Sequence, residues 1–193
     1  YNSIIGENGA TDKGGGICMD SSVLIRNTSI NNNSSQNGGG LYIGNTATVH
    51  MWMESYINNN YAYNNGGGVY IGEKAGFLLT DNNIYQNNCD KNGTGVYVRG
   101  KFQMFSIASV DESNEVYLTR NTYISIIDRL LKPSGYVAVI RTTLTDAGTI
   151  IAQVEYSTDA QNELYYAGDA VAESNNQNCV KKFLVRNISG NKL

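Results

Sequence analysis

The stretch that decides the fold is Ile57-Asn58-Asn59-Asn60-Tyr61-Ala62-Tyr63-Asn64-Asn65-Gly66-Gly67-Gly68-Val69-Tyr70-Ile71. An isoleucine leads, an asparagine stands three residues on, and a glycine triplet opens a short segment in which apolar residues alternate. The same order recurs on both sides, as Ile5…Gly14-Gly15-Gly16-Ile17, Ile30…Gly38-Gly39-Gly40-Leu41 and Ile84…Gly93-Thr94-Gly95-Val96. By subtraction the isoleucines stand 25, 27 and 27 residues apart, and the apolar residues after the glycines 24, 28 and 27. A period of this length means stacked copies of one unit, because a single unit cannot bury its apolar face without a neighbour.

Each unit holds three short patches of period two. The first is Ile17-Cys18-Met19, Leu41-Tyr42-Ile43, Val69-Tyr70-Ile71, Val96-Tyr97-Val98 and Val116-Tyr117-Leu118. The second is Val23-Leu24-Ile25, Ala47-Thr48-Val49, Phe77-Leu78-Leu79 and Phe102-Gln103-Met104, and the third carries the leading isoleucine. Alternation over three to five residues gives strands with one face in and one out. Helices of ten or more residues do not fit between the Gly and Asn clusters. Three short strands per unit without helices predict an all-β chain, a right-handed parallel β-helix of about five coils with three strands per coil. Ile17, Leu41, Val69, Val96 and Val116 then form one inward stack. Asn8, Asn33, Asn60 and Asn87 occupy equivalent corners, where Asn tolerates left-handed backbone and can stack its amide into a ladder. The glycines supply positive φ or close backbone approach.

Composition divides the chain. Of its 26 asparagines 18 fall within residues 1–100, as do 17 of its 21 glycines. The tail turns to β-branched alternation, as in Ile124-Ser125-Ile126 and Val137-Ala138-Val139-Ile140, around the single proline, Pro133. The expected organisation is a parallel β-helix domain over residues 1–118 and a C-terminal β-rich cap over 119–193. Such a cap has a physical purpose, since an open β-helix end exposes unpaired edges and an apolar lumen. Ala160–Ala172 reads as loop or one short helix. Tyr1 opens with the repeat already under way and no signal peptide, which reads as a piece of a longer protein.

The 193 residues carry a formal charge of −3 with Lys and Arg scattered, so nothing tracks a phosphate backbone or an acidic lipid surface. No apolar run is long enough to span a bilayer. Cys18, Cys89 and Cys179 show no metal spacing, so no metal and no cofactor are expected. Cys18 and Cys89 lie roughly 14 Å apart along the axis by strand spacing, too far for a disulfide. Cys89 can reach Cys179 only if the tail folds back. The single His50 alternates with apolar neighbours and reads as a solvent-facing strand residue.

The run Ile-x-x-Asn, followed by Gly-Gly-Gly, an aliphatic residue and often Tyr, resembles bacterial surface proteins with right-handed parallel β-helix repeats of the pectate-lyase-like superfamily. It is similar to the polymorphic outer-membrane protein repeats, although Ile stands here for the aromatic residue and a third Gly for Ala. The tail from Asn114-Glu115-Val116-Tyr117-Leu118 to Lys182-Phe183-Leu184-Val185 looks like the β segment that ends such arrays. The resemblance implies an extracellular or cell-surface location and an adhesin, passenger or stalk role, with no catalytic residues.

Three functions compete. A polysaccharide lyase or glycosidase needs convergent carboxylates, or a base beside acidic Ca²⁺ ligands. The acids Asp12, Asp20, Glu54, Glu73, Asp81, Asp90 and Asp111 fall at different coil phases; Asp81 and Asp90 could face one loop region but read first as solvated turn acids. A binding module is suggested by the outward middle residue of the first strand, which is Tyr42, Tyr70, Tyr97 and Tyr117 in successive coils. These make an expected exposed ridge about 15 Å long that can stack on sugar rings of a glycan or extracellular matrix; the alternative is that Tyr is simply a good strand residue pairing with its neighbours. A pure spacer or fibre, with self-association, is the third class.

Overall fold

The computed structural model describes residues 2–44, 46–130, 136–142, 150–155, 164–166 and 183–186. Among them there is no helix. The first coil contributes β1 (Ser3–Gly6), β2 (Ile17–Met19) and β3 (Val23–Arg26). The second holds β4 (Thr28–Asn31), β5 (Ser34–Asn37), β6 (Leu41–Ile43) and β7 (Thr48–Trp52), and the third β8 (Tyr56–Asn58), β9 (Tyr61–Asn65), β10 (Val69–Ile71) and β11 (Gly76–Thr80). The fourth has β12 (Asn83–Tyr85), β13 (Asn88–Cys89), β14 (Val96–Val98) and β15 (Lys101–Ser106). Then follow β16 (Ser109–Val110), β17 (Glu115–Leu118), β18 (Ile124–Leu130), β19 (Ala138–Thr142), β20 (Ile150–Glu155), β21 (Leu164–Tyr166) and β22 (Phe183–Arg186).

Equivalent strands pair in parallel, one coil on the next. Sheet order is β1-β4-β8-β12-β16 for the leading-isoleucine face, β2-β6-β10-β14-β17-β19-β22 for the face after the glycines, and β21-β20-β18-β15-β11-β7-β3 for the third. The chain is a parallel β-solenoid. Residues 41–43 lie in register beside 69–71. The three long sheets match the expected strands, and a short fourth sheet, β13-β9-β5, occupies the Asn-rich segment between isoleucine and glycines. Parallel pairing also runs past residue 118 through β18, β19, β20 and β22, and among the described residues only β21 pairs antiparallel.

The interior is built from aliphatic stacks. Leu41, Val69, Val96 and Val116 are in register and fully buried, and Ile140 and Val185 continue the row. Phe77 and Phe102 stack inside the third face with ring centroids 5.7 Å apart. The glycine triplet is explained by its third copy. Gly66 takes φ 70°, where a Cβ is strained. A Cβ on Gly67 would come within 3.0 Å of the Asn88 and Thr94 carbonyl oxygens.

The asparagine ladder forms and reaches one coil further than expected. Oδ1 of Asn60 accepts both the backbone N–H and Nδ2 of Asn33 at 3.0 Å. The same pair of bonds joins Asn8 to Asn33, Asn60 to Asn87 and Asn87 to Asn114. Nδ2 of Asn33, Asn60 and Asn87 also donates to the carbonyl of Ile5, Ile30 and Ile57, at 2.9 Å each. The left-handed backbone sits one residue earlier, at Glu7, Asn32, Asn59 and Gln86 (φ 61°, 53°, 52° and 55°). The ladder Asn is therefore retained for its amide and not for its φ. A second polar column lies between the third and first faces, where Thr28 N–H donates to Ser55 Oγ and Ser55 N–H to Asn82 Oδ1.

Candidate functional site

The tyrosine row is set by the three-residue strands β6, β10 and β14, whose flanking residues are fully buried and whose middle residue faces out. Register places Cys18, Tyr42, Tyr70, Tyr97 and Tyr117 on successive strands, and Arg141 follows. The rings stack face to face. Centroid distances are 5.0 Å for Tyr42–Tyr70, 5.1 Å for Tyr70–Tyr97 and 5.3 Å for Tyr97–Tyr117, with interplanar angles of 15°, 23° and 6°.

This geometry alters the expected ridge. Both faces of Tyr70 and of Tyr97 lie against neighbouring tyrosines, and Lys13 Nζ sits 5.2 Å from the Tyr42 ring centroid. What is left to solvent is ring edge and hydroxyl. Tyr42, Tyr70 and Tyr97 are half-buried, whereas Tyr117, expected on the exposed ridge, is buried at 8 % exposure. The reason is that its sheet does not stop at β17. Beside Tyr117 comes Arg141, whose Nη2 donates to Glu115 Oε1 at 2.7 Å in a partly buried ion pair.

Electrostatics around the row are local. Burial pushes the Tyr42 and Tyr97 hydroxyls above the ordinary phenol range, so both are hydrogen-bond donors at neutral pH. Arg99 donates to the Tyr70 hydroxyl at 3.4 Å and pairs with Glu73 at 3.5 Å, both at the surface.

The remaining candidate residues are dispersed. Asp81 occupies the left-handed corner between β11 and β12 (φ 57°) and accepts from Ile107 N–H at 3.4 Å. Asp90 follows β13 and accepts from the Tyr61 hydroxyl. Two strands, β12 and β13, separate these acids, so one loop region does not hold both. Among the described residues no three His, Cys, Asp or Glu side chains gather at metal-binding distance. Cys18 is exposed and Cys89 half-buried, both as free thiols; Cys179, and with it the Cys89–Cys179 pairing, lies outside the described residues, as does Ala160–Ala172. Burial raises both thiols, Cys89 to about 11.

One surface went unread in the sequence. On the outer side of the third face Leu24, His50 and Leu78 are in register, with Arg26 beside Trp52. His50 stacks on Trp52 at 5.8 Å and its Nε2 lies 3.1 Å from Thr80 Oγ1. Leu24 on β3, Met53 just after β7 and Ile107 just after β15 are exposed. The available signal was apolar residues at the outward phase of strands whose inward phase was already apolar, as in Val23-Leu24-Ile25.

Comparison of the chain with models of protein families, with curated proteins and with solved structures finds no match in any of the three. What the structure itself supports is the parallel solenoid with its buried asparagine ladder.

Proposed function

We propose that this chain is a non-catalytic repeat module of a cell-surface or secreted protein, of the pectate-lyase-like β-helix kind. In this reading the solenoid acts as a stalk or passenger that holds an outer surface at fixed spacing. The observation that carries it is the in-register tyrosine row, whose ring faces are spent on one another. Stacking of that kind stiffens the strand face along the axis, at roughly 0.5–1.5 kcal/mol per aromatic pair beyond burial. It leaves a file of hydroxyls and ring edges outward. Contact with a glycan or matrix polymer is then made through hydrogen bonds to Tyr42, Tyr70 and Tyr97, not through rings lying flat on sugars.

A glycan and matrix array with the chain, followed by two double variants, tests this. Tyr70→Phe with Tyr97→Phe keeps the stack and removes the hydroxyls; Tyr70→Ser with Tyr97→Ser removes both. Loss of binding by about 1–3 kcal/mol in both pairs supports the hydroxyl file, and binding that survives both moves the contact to the Asn-rich corners. A wild-type chain that binds nothing favours a pure spacer. Release of unsaturated, ultraviolet-absorbing product from a uronate polymer would establish a lyase and sink the reading.

A further inference from the structure

Four asparagines of the chain directly precede a glycine: Asn8-Gly9, Asn37-Gly38, Asn65-Gly66 and Asn92-Gly93. Asparagine is chemically labile there, because no side chain shields the glycine nitrogen and it can reach the carboxamide of the residue before it. Attack on the side-chain carbonyl carbon forms the new C–N bond of a five-membered imide. The bond to the side-chain nitrogen breaks, and that nitrogen leaves as ammonia with the proton the backbone nitrogen gave up. One water then opens the imide at either carbonyl, giving aspartate or isoaspartate. Since the attacking nitrogen must lose its proton, an N–H held in an inter-coil hydrogen bond is protected until that bond opens.

The fold holds these nitrogens differently. Asn37 and Asn65 are in register and Asn92 joins them through an isolated bridge, so the three stand in one column. All three are half-buried, and the glycines after them share one conformation, with φ 65°, 70° and 69°. Burial and backbone shape therefore do not separate them, but hydrogen bonding does. Gly38 N–H donates to Asn65 O and Gly66 N–H to Asn92 O, both at 3.0 Å, whereas among the described residues nothing accepts from Gly93 N–H. The Asn92 carboxamide is held by a long donation from Nδ2 to Asn65 Oδ1, at 3.3 Å. Asn8 stands elsewhere, at the ladder corner, where its Nδ2 donates to Gly6 O and Asn33 Oδ1.

The fifth coil leaves Gly93 open. Ile57 to Val69 and Ile84 to Val96 each span 12 residues by subtraction, but their register equivalents Val110 and Val116 are only 6 apart. That is too short to carry another Asn-rich strand, so the fourth sheet ends at β13. Pairing with the fifth coil resumes at Gly95, whose N–H donates to Glu115 O at 3.0 Å.

We propose that Asn92 is a site of spontaneous deamidation, selected from its column by the free nitrogen of Gly93. Conversion to aspartate replaces the donor facing Asn65 Oδ1 with a carboxylate. Conversion to isoaspartate lengthens the main chain just where Gly66 N–H donates to Asn92 O and Gly67 N–H to Gly93 O. Either product loosens the boundary between the third and fourth coils, whether or not the outer surface binds a glycan.

The test incubates the full chain in mildly alkaline heavy-oxygen water, folded and in urea, and maps the peptides by mass spectrometry, with isoaspartyl methyltransferase marking isoaspartate. In the folded chain Asn92 should convert about tenfold or more faster than Asn37 and Asn65, with Gly93 N–H exchanging faster than the Gly38 and Gly66 amides by a similar factor. In urea the three rates should converge. The Asn92→Asp variant should remain folded and exchange its Gly66 and Gly67 amides faster than the parent. Asn37 or Asn65 keeping pace with Asn92 in the folded chain overturns the proposal, as does a Gly93 amide as protected as the other two. A preference for Asn92 that persists unchanged in urea also overturns it, because local sequence and not the fold would then be the cause.

Discussion

Replacing Asn60 by Ala removes the centre of the ladder. Asn60 is 1 % exposed, and its side chain takes part in four hydrogen bonds of 2.9–3.0 Å: Oδ1 accepts from Asn33 N–H and Nδ2, and Nδ2 donates to Ile30 O and Asn87 Oδ1. Asn33, also 1 % exposed, then loses the partner of its backbone N–H, which costs about 1–3 kcal/mol in a buried site. Each of the other three bonds is worth about 0.5–1.5 kcal/mol net. Some of the loss is recovered where Ile30 O and Asn33 Nδ2 keep other partners, so the expected destabilisation is about 3–5 kcal/mol. At about 2 kcal/mol per molar urea, the unfolding midpoint falls by about 2 M. The companion change, Asn8→Ala, removes only two donations, an exposed one to Gly6 O and a part-buried one to Asn33 Oδ1, and should cost about 0.5–1 kcal/mol. Equal losses at the two positions, or a loss under about 1 kcal/mol at Asn60, would refute the ladder as a source of stability.

The phase of the strands is checked by Val69→Asp, which buries an unpaired charge and should abolish folding, against Tyr70→Asp, which forfeits two ring contacts and should cost about 1–3 kcal/mol; circular dichroism showing equal damage would mean the two faces are exchanged. Gly67→Ala drives a Cβ into backbone carbonyls and should prevent folding, whereas at Gly76 the nearest atom to a new Cβ is a Thr48 side-chain carbon at 3.4 Å, so Gly76→Ala should be neutral or stabilising by up to about 1 kcal/mol; thermal melts of the pair decide it. With iodoacetamide at pH 8, Cys18 should alkylate well before Cys89, because Cys18 is exposed while burial holds the Cys89 thiol up at about 11; peptide mass spectrometry reporting the reverse order would contradict the placement of β13.

Much of the fold was legible because one period fixed several features together. The spacing of Ile30, Ile57 and Ile84 set the coil length, and alternation in Val69-Tyr70-Ile71 set inside and outside. Three things were missed, each where a local rule gave way to the stack. Asn114 joins the ladder although it stands four residues after Val110, the register partner of Ile84; the extra residue hides it from the Ile-x-x-Asn spacing. The fourth sheet is made of Ser34–Asn37, Tyr61–Asn65 and Asn88–Cys89, segments that each carry Asn, a residue depleted in strands, and that pair because their neighbours in the coils already do. The left-handed corners fell to Glu7 and Gln86 as readily as to Asn32 and Asn59, so a residue type associated with positive φ did not mark the position that needs it.

For the candidate site, alternation gave the direction of the tyrosines but not the state of their ring faces. Parallel in-register strands repeat at about 4.8 Å, close to the spacing at which aromatic rings stack. An aromatic residue repeated at one outward position of such a solenoid therefore covers its own kind, as the centroid distances of 5.0–5.3 Å show. Rings displaced from one register position behave differently: Tyr56 with Tyr85, and Tyr61 with Tyr63, meet edge to face at 73° and 81°. There Tyr56 and Tyr63 remain 39 % and 50 % exposed. A perfect aromatic repeat along the axis thus yields rigidity and a hydroxyl file, while open ring faces demand an interrupted one. The same regularity that makes the row conspicuous in the sequence is what withdraws its faces from a flat ligand.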